Sequence, residues 1–433
     1  MAKILDQPRY KCALAAMQTV HSITRTLPIL HSGPGCAQKL NDNLGTSGLF
    51  SPNIFPCTSI SEKEVVFGGN EKLRDTIENA LKVIDADLYV VLTGCTSEII
   101  GDDVESVTKE FADGPKPVIY VNTPGFKGNN FIGHDWILTA IFDQYLKETD
   151  VKEKGLVNIF AGIPMHDPFW LGNLRTLEKL VSELGLTPNT IFGHGRGIKN
   201  IDKIPHAAFN LLVSPWAGLE SVQFLEKKFG TPYLHYPVLP IGAFETSKFL
   251  RAVSKFAGVQ EALTEKLIVQ HEEEYYYYIE RYADVFLETR IMSKRFTTVS
   301  DAQYSLAITK FLVNDLGMFP VKQYITDDTP EQYRKKIIRE FKVLNYGIEA
   351  EVRFSTDGYQ IHKEIAKTDF AGYPLIAGSN WEKKLAQELD GHFINISYPV
   401  VERLIINSSI AGYEGGLKLL EDIYSAALAK LSL

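Results

Sequence analysis

The chain has 433 residues, more than one hydrophobic core usually organises, so the sequence predicts two or three domains. Its composition, with 45% hydrophobic and 23% charged residues, is that of a soluble globular protein. The net charge of −8 argues against a general affinity for nucleic acid or an anionic membrane. No apolar run approaches the roughly 20 residues that span a bilayer, and residues 1–9 lack the apolar core of a secretory signal, so we expect a cytoplasmic protein.

Short apolar runs that end in glycine, proline or polar residues predict buried strands along most of the chain. These runs cover residues 87–93, 117–121, 156–161, 207–213, 233–238, 295–300, 318–325, 348–354, 373–377 and 392–397. Amphipathic stretches of helical length lie between them, at residues 71–84, 173–184, 218–229, 305–316 and 413–431. Strands that alternate with helices of this length predict parallel sheets joined by helical crossovers, which is an α/β fold.

The alternation of strands and helices restarts at two places. The first restart is near Gly155, after a charged link at residues 147–154. The second is near Lys294, after a long helical section at about residues 245–289. These restarts predict three Rossmann-like, doubly wound α/β domains with parallel sheets, at residues 1–150, 151–290 and 291–433.

All four cysteines lie in the first 95 residues, at positions 12, 36, 57 and 95. In a chain without a secretory signal they imply a reducing compartment, where metal or catalytic roles outrank disulfides. There is no CxxC pair and no P-loop sequence, which argues against a zinc ribbon, a thioredoxin-like site and a nucleotide-binding loop. We interpret Cys57, in a short linker, as structural. The clustering of the others makes a thiolate-ligated site the first hypothesis.

Cys95 and Cys36 have the more informative surroundings. Cys95 follows an apolar strand, at the edge where α/β sheets bind their ligands, and Thr96 or Ser97 can cap the helix that follows. Cys36 closes the glycine–proline turn at residues 33–35, whose glycines let the backbone approach a bulky inorganic group. Each context also fits an ordinary strand–helix junction or turn, so the local signals leave both interpretations open.

Several segments together resemble one known family over nearly the whole chain. The decisive ones are Cys12, residues 31–36 (HSGPGC), residues 64–69 (EVVFGG) and residues 93–103 (TGCTSEIIGDD). Further similarities lie at residues 123–128, 171–173, 237–242 and 411–415. The order of the three cysteines and their spacing, 24 and then 59 residues, resemble component 1 of nitrogenase and of nitrogenase-like reductases.

In that family, two related subunits each give three cysteines to an iron–sulfur cluster at their interface, the P-cluster. The resemblance implies that Cys12, Cys36 and Cys95 bind half of such a cluster, of the [8Fe-7S] type, with Cys36 at the position that bridges its halves. It also implies that glycine-rich backbone shields the cluster, at Gly33, Gly35, Gly68, Gly69 and Gly94. A partner subunit must then supply the remaining ligands.

The α-type subunits of the family carry a later cysteine and a late histidine that hold the active-site cofactor, whereas no cysteine follows Cys95 here. The resemblance therefore implies a β-type oxidoreductase subunit of an α2β2 heterotetramer, with no catalytic residue that can be named. An ATP-dependent iron–sulfur reductase protein would deliver electrons. This chain would relay them to an iron-containing cofactor in the α-like subunit. No nucleic-acid or membrane partner is expected.

Two departures from the family pattern bear on the function. Nitrogenase β subunits often carry a serine ligand where this chain has Gly125, and many have a longer segment before Cys12. Both departures fit a nitrogenase-like reductase, with methylthio-alkane reductase as the preferred member. A divergent dinitrogen-reducing nitrogenase and a scaffold for nitrogenase cofactor assembly stay open as alternatives. A tetrapyrrole reductase subunit fits less well, because those enzymes usually hold a smaller cluster with fewer cysteines.

Overall fold

The computed structural model describes residues 5–43, 55–282 and 292–430. Within these ranges, three parallel sheets follow one another along the chain, with helices between their strands, which confirms the predicted α/β fold. The predicted domain boundary at residues 290 and 291 lies outside the described residues. The division at residues 150 and 290 therefore stays a prediction.

The first sheet has three parallel strands in the order β1-β2-β3. They are β1 (Thr26–His31), β2 (Leu88–Thr93) and β3 (Val118–Asn122). Every residue of β1 and β2 is buried. The sequence pattern does not predict β1, because Pro28 interrupts its apolar run, and proline is tolerated in a sheet only at an edge such as this one.

The second sheet has the order β5-β4-β6-β7, and the third has the order β11-β10-β8-β12-β13, with β9 paired to β8. The strands are β4 (Glu153–Ala161), β5 (Thr187–Asn189), β6 (Ala207–Val213), β7 (Tyr233–Tyr236), β8 (Arg295–Ser300), β9 (Phe319–Pro320), β10 (Gln323–Ile325), β11 (Val352–Phe354), β12 (Leu375–Gly378) and β13 (His392–Asn395). In both sheets the strand order reverses beside the first strand, as in doubly wound folds. The predicted strand at residues 318–325 is divided into β9 and β10, both of which pair with β8.

The helices lie between these strands. They are α1 (Met17–His21), α2 (Pro34–Asn43), α3 (Glu62–Phe67), α4 (Asn70–Val83), α5 (Cys95–Ile100), α6 (Val104–Lys109), α7 (Asn130–Gln144), α8 (Trp170–Glu183), α9 (Ile198–Ile201), α10 (Leu219–Phe229), α11 (Gly242–Ala257), α12 (Glu261–Arg281), α13 (Ala302–Asn314), α14 (Glu331–Phe341), α15 (Gly358–Ile365), α16 (Lys383–Glu388) and α17 (Gly412–Leu428). Short 3-10 helices cover Ala13–Ala16, Ile204–His206, Asn345–Gly347 and Asn380–Glu382. The predicted helices correspond to α4, α8, α10, α13 and α17, although residue 431, the predicted end of the last, lies outside the described residues. Within the described ranges, no helix combines the length and the apolar character needed to cross a bilayer.

One apolar core connects the three sheets. It includes Leu92 of β2, Ile159 of β4 and Phe296 of β8, each no more than 1% exposed. Two smaller apolar clusters cover the faces of the first and third sheets that point away from this core. The cluster on the first sheet includes Ile77, and the cluster on the third sheet includes Ile361. This shared core fixes the carboxyl ends of the strands and so positions the loops that follow them.

Candidate metal centre

Cys95 is the first residue of the helix that follows β2. The N-cap of α5 is Gly94, so the predicted cap at Thr96 or Ser97 is wrong. A β-carbon on Gly94 would overlap the side chain of Ser32, which lies in the loop after β1. Ser97 instead closes the turn, because its Oγ accepts the Gly94 N–H at 3.1 Å and donates to the last carbonyl of β1 at 2.7 Å. Cys95 is therefore held at the carboxyl edge of the first sheet.

Cys36 lies in the first turn of α2, which follows β1. His31, the last residue of β1, is paired with Thr93, the last residue of β2. Because these parallel strands end at the same edge, the loops that carry Cys36 and Cys95 leave the sheet side by side. The helix starts at Pro34, a position that suits proline because an N–H there would have no helical partner.

Cys12 reaches the site from a different segment, residues 5–12, which we call the N-terminal strap. It forms an antiparallel bridge with Asn129, just before α7. The Lys11 N–H donates to Asn130 Oδ1 at 2.7 Å, and the Asn130 N–H donates to the Lys11 carbonyl at 3.0 Å. These bonds hold the strap against the loop that follows β3.

The thiols of Cys12 and Cys95 meet at the backbone of Gly125. The Gly125 N–H donates to Cys95 Sγ at 3.2 Å. A β-carbon on Gly125 would overlap Cys12 Sγ and would lie 3.5 Å from Cys95 Sγ. Burial by surrounding protein, followed by the nearby thiols of Cys95 and Cys36, raises the pKa of Cys12, although its side chain reaches solvent. The three cysteines predicted as ligands are therefore neighbours.

The fourth cysteine, Cys57, has its own backbone partners. Its Sγ donates to the Ser32 carbonyl at 3.5 Å and accepts the Ser59 N–H at 3.3 Å. Among the described residues, no group of three or more His, Cys, Asp or Glu side chains surrounds a single ion position.

Comparison with known proteins identifies the family of this chain. The family model for nitrogenase component 1 type oxidoreductases matches residues 12–428. The chain belongs to this family. It is therefore an oxidoreductase subunit, from a family whose members bind iron–sulfur clusters, as the sequence resemblance implies.

Curated proteins similar to this component 1 chain include nitrogenase molybdenum-iron protein beta chains. The one from Azotobacter vinelandii is 24% identical, over 96% of this chain and 83% of the relative. The one from Methanococcus maripaludis is 27% identical, over 96% of this chain and 93% of the relative. A solved structure, nitrogenase Cp1 at pH 6.5, covers 100% of this chain and 95% of its own, with a TM-score of 0.82 and 22% identity. The structural match supports the three-sheet α/β fold.

The three thiols of this component 1 chain fit a metal–sulfur group that is shared with another subunit. Thiolates are soft ligands, which iron–sulfur clusters prefer. Cys12 is exposed in this chain, and Cys36 and Cys95 are half-buried, so none of the three residues is fully enclosed by the chain. A group bound there has room for ligands from a second chain.

The glycines predicted to shield the site have two kinds of surroundings. Gly94 packs on Ser32, as described above, and Gly69 lies against Asp102, whose Oδ2 would be 2.7 Å from a β-carbon on that glycine. Gly33 and Gly35 differ, because among the described residues the nearest atom to a β-carbon on Gly33 lies 3.8 Å away and none lies within 4 Å at Gly35. Packing within the chain thus explains two of these glycines.

Gly68, the fifth predicted glycine, ends α3 with a φ of +89°, a conformation that favours glycine. It is a turn residue between α3 and α4. Its local conformation accounts for the glycine, and a shielding role for all five glycines stays a prediction.

A buried histidine–aspartate pair lies beside the cysteine loops, and sequence reasoning misses it. His31 is fully buried, with Nε2 2.9 Å from Asp102 Oδ2 and Nδ1 3.1 Å from Thr58 Oγ1. Asp102 Oδ1 accepts the Gly69 N–H at 2.7 Å. Burial lowers the pKa of His31 and Asp102 opposes this effect. The pair connects the turn after α3 with the segments that carry Cys36 and Cys95. In the sequence, His31 and Asp102 lie within the motifs at residues 31–36 and 93–103, and this position is the feature that could have indicated the pair.

Large apolar side chains are exposed on the elements next to the thiols. Helix α3 packs against α5. The exposed fractions are 52% for Val65, 71% for Val66, 82% for Phe67, 75% for Ile99 and 58% for Phe126. Exposed apolar groups of this size are typical of protein interaction surfaces.

A small polar cavity lies at the carboxyl ends of strands from the second and third sheets. Its lining includes His166, Asp167, Asp301 and Asp327. The space open to the centre of a water molecule is about 20 Å³, enough for about one water. Burial raises the pKa of Asp167 to about 7 and that of Asp301 to about 7.

Proposed function

We propose that this chain is the electron-transferring, β-type subunit of a nitrogenase-like reductase. Cys12, Cys36 and Cys95 hold half of a P-cluster of the [8Fe-7S] type, and an α-like subunit supplies the other ligands in an α2β2 complex. When bound, such a group supplies one-electron storage and transfer. The residues of this chain bind it, orient it and keep water from one side of it.

The observation that carries this proposal is the proximity of three thiols from three separate segments: those of Cys12 and Cys95 meet beside Gly125, and that of Cys36 is near enough to Cys12 to raise its pKa. Two of them come from neighbouring strand ends and the third from the N-terminal strap. The Gly125 N–H adds a hydrogen bond to Cys95 Sγ. Hydrogen bonds to ligating sulfur are one means by which proteins adjust the potential of an iron–sulfur group.

The surface around the thiols supports a shared site. Cys12 is exposed, and the apolar side chains of α3 and α5 face solvent in this chain. An α-like subunit that covers this face buries the thiols and completes their coordination. The ATP-dependent iron–sulfur reductase protein then delivers electrons to the assembled complex.

We assign the substrate chemistry to the α-like partner. No cysteine follows Cys95 in the sequence, and the cavity between the second and third sheets admits about one water. That space is too small for a metal–sulfur cofactor. Following the family resemblance, we place an iron-containing active-site cofactor in the partner, with this chain as the electron relay.

Within the family we propose the methylthio-alkane reductase type. A β-carbon at position 125 would overlap Cys12 Sγ, so a serine there requires the Cys12 thiol to move, and the glycine itself offers no side-chain oxygen as an additional ligand. The second candidate is a divergent dinitrogen-reducing nitrogenase, which the similarity to molybdenum-iron beta chains favours. Assays of the complex with volatile organic sulfur compounds, and with dinitrogen and acetylene, separate the two. A cofactor-assembly scaffold would show little turnover with its reductase and would release its cofactor to an apo-protein.

Iron analysis of the purified complex tests the proposal. The chain is co-expressed with a candidate α-like subunit from the same organism. We expect a heterotetramer that contains about eight iron atoms at each interface. A stable monomer that holds a complete cluster by itself would contradict the shared site.

A further inference from the structure

The N-terminal strap that carries Cys12 is fixed by contacts with a distant part of the sequence. The Gly358 N–H, at the start of α15, donates to the Asp6 carbonyl at 2.7 Å. A β-carbon on Gly358 would lie 2.9 Å from Arg9 Nη1 and 3.0 Å from the Asp6 carbonyl oxygen. The strap therefore lies directly on the backbone of Gly358, which follows the third-sheet strand β11.

Arg9 of the strap forms a buried ion pair with Glu382. The two side chains are 1% and 0% exposed. The Glu382 carboxylate also accepts hydrogen bonds from the N–H and the Oγ of Ser379, both at 2.8 Å, and lies 2.9 Å from His362 Nε2. Removal of one member of a buried ion pair leaves the other charge without its partner, which is strongly unfavourable. The pair therefore holds the strap in one position.

Cys12 depends on the strap in a way that the other two cysteines do not. Cys36 lies in the first turn of the helix that follows β1, and Cys95 begins the helix that follows β2. Cys12 precedes the first strand of the chain, and only two residues separate it from Arg9.

We propose that Arg9, held by Glu382, is a positioning residue for Cys12. The ion pair with the third-sheet region, together with the bridge to Asn129 and the Lys11–Asn130 hydrogen bonds, determines where the Cys12 thiol lies. The inference rests on the proposed function, since this position affects electron transfer only if Cys12 is a ligand. The ligand set is then fixed by two parts of the fold: the first sheet and its loops hold Cys36, Cys95 and one side of Cys12, and the third-sheet region holds the strap that leads to Cys12.

Thiol cross-linking in the metal-free full chain tests this inference. Dibromobimane bridges two thiols that lie close together, and peptide mass spectrometry measures the Cys12–Cys95 product. In Arg9→Met we expect the yield to fall by about threefold or more, because a released strap samples positions away from Gly125. Labelling of Cys95 by monobromobimane should stay unchanged. The matched control is Arg74→Met, which removes an exposed arginine paired with Glu110 and should retain the wild-type yield.

Gly358→Ala is the second variant, and it leaves every charge in place. Its β-carbon presses on the strap at Arg9 and Asp6, so we expect the same loss of cross-linking even if Arg9→Met does not fold. A wild-type yield in Gly358→Ala overturns the inference, as does an equal loss in the Arg74→Met control. The assay uses no iron. A complex without interface iron would therefore contradict the proposed function and leave the cross-linking result unchanged.

Discussion

The backbone N–H of Gly125 donates to Cys95 Sγ at 3.2 Å, and the same glycine leaves no room for a side chain beside the neighbouring thiol. In the sequence, position 125 is notable because it lacks a serine ligand. In the structure, the glycine permits a hydrogen bond to one thiol and the close approach of another. The backbone at this position is thus part of the candidate metal centre.

The close packing at Gly125 predicts that a side chain at this position destabilises the folded chain. We expect Gly125→Ala to lower the free energy of unfolding of the metal-free chain by about 1 kcal/mol, because its β-carbon overlaps Cys12 Sγ. Gly35→Ala is the matched control, since its β-carbon meets open space, and it should change this free energy by less than about 0.5 kcal/mol. Urea unfolding followed by circular dichroism measures both. Equal effects of the two substitutions would contradict the packing at position 125.

Neighbouring aspartates should differ in their contribution to stability. Asp102→Ala leaves His31 Nε2 and the Gly69 N–H buried without their partner, so we expect a loss of about 2–3 kcal/mol in the free energy of unfolding. Asp103→Ala removes an exposed cap of α6, whose carboxylate accepts the Ser106 N–H at 3.0 Å, and should cost about 1 kcal/mol. The same urea experiment compares the two. A larger loss of unfolding free energy in Asp103→Ala would contradict the expected contribution of the buried His31–Asp102 pair to stability.

The buried aspartates of the small cavity predict a pH dependence of stability. Burial raises the pKa of Asp167 to about 7 in the folded chain, whereas an aspartate in an unfolded chain titrates near about 4. The folded state thus keeps a proton that the unfolded state loses. This contribution to stability is complete below about pH 4 and is lost as the pH rises through about 7.

Asp167→Asn should remove this contribution. Relative to wild type, the variant should gain about 4 kcal/mol in the free energy of unfolding between pH 4 and pH 8. The quantity to measure is the difference in unfolding free energy between the variant and wild type at each pH. Other groups also contribute to the pH dependence: burial lowers the pKa of His134 to about 3, and this shift acts with the opposite sign over part of the pH range. A difference that stays constant from pH 4 to pH 8 would contradict the raised pKa of Asp167.

Local sequence patterns predict the parts of the fold that rest on local interactions. β2 and β6 are interior strands composed mostly of apolar residues, and both are predicted. β1 is an edge strand with Pro28 inside it, so its pattern is lost. The helix cap at Gly94 depends on Ser32 in another loop, and no local propensity predicts such a contact.

The candidate site shows the same division between local and distant information. The positions of the three cysteines follow from the family resemblance, and the structure brings their thiols together. The partners that organise them are distant in sequence: Gly125 lies 30 residues from Cys95, and Asp102 lies 71 residues from His31. A pattern along the chain contains no information about such pairs until the strands that carry them are placed in one sheet.

The iron content and EPR spectrum of the complex, compared between Cys95→Ala and Cys57→Ala, test the central claim most directly. Cys57 is the matched control, because its Sγ contacts the backbone of residues 32 and 59. We predict that Cys95→Ala loses most of the interface iron and the EPR signal of the cluster, whereas Cys57→Ala retains both. Unchanged iron and an unchanged EPR signal in Cys95→Ala would contradict the assignment of these cysteines as the ligands of a shared iron–sulfur cluster.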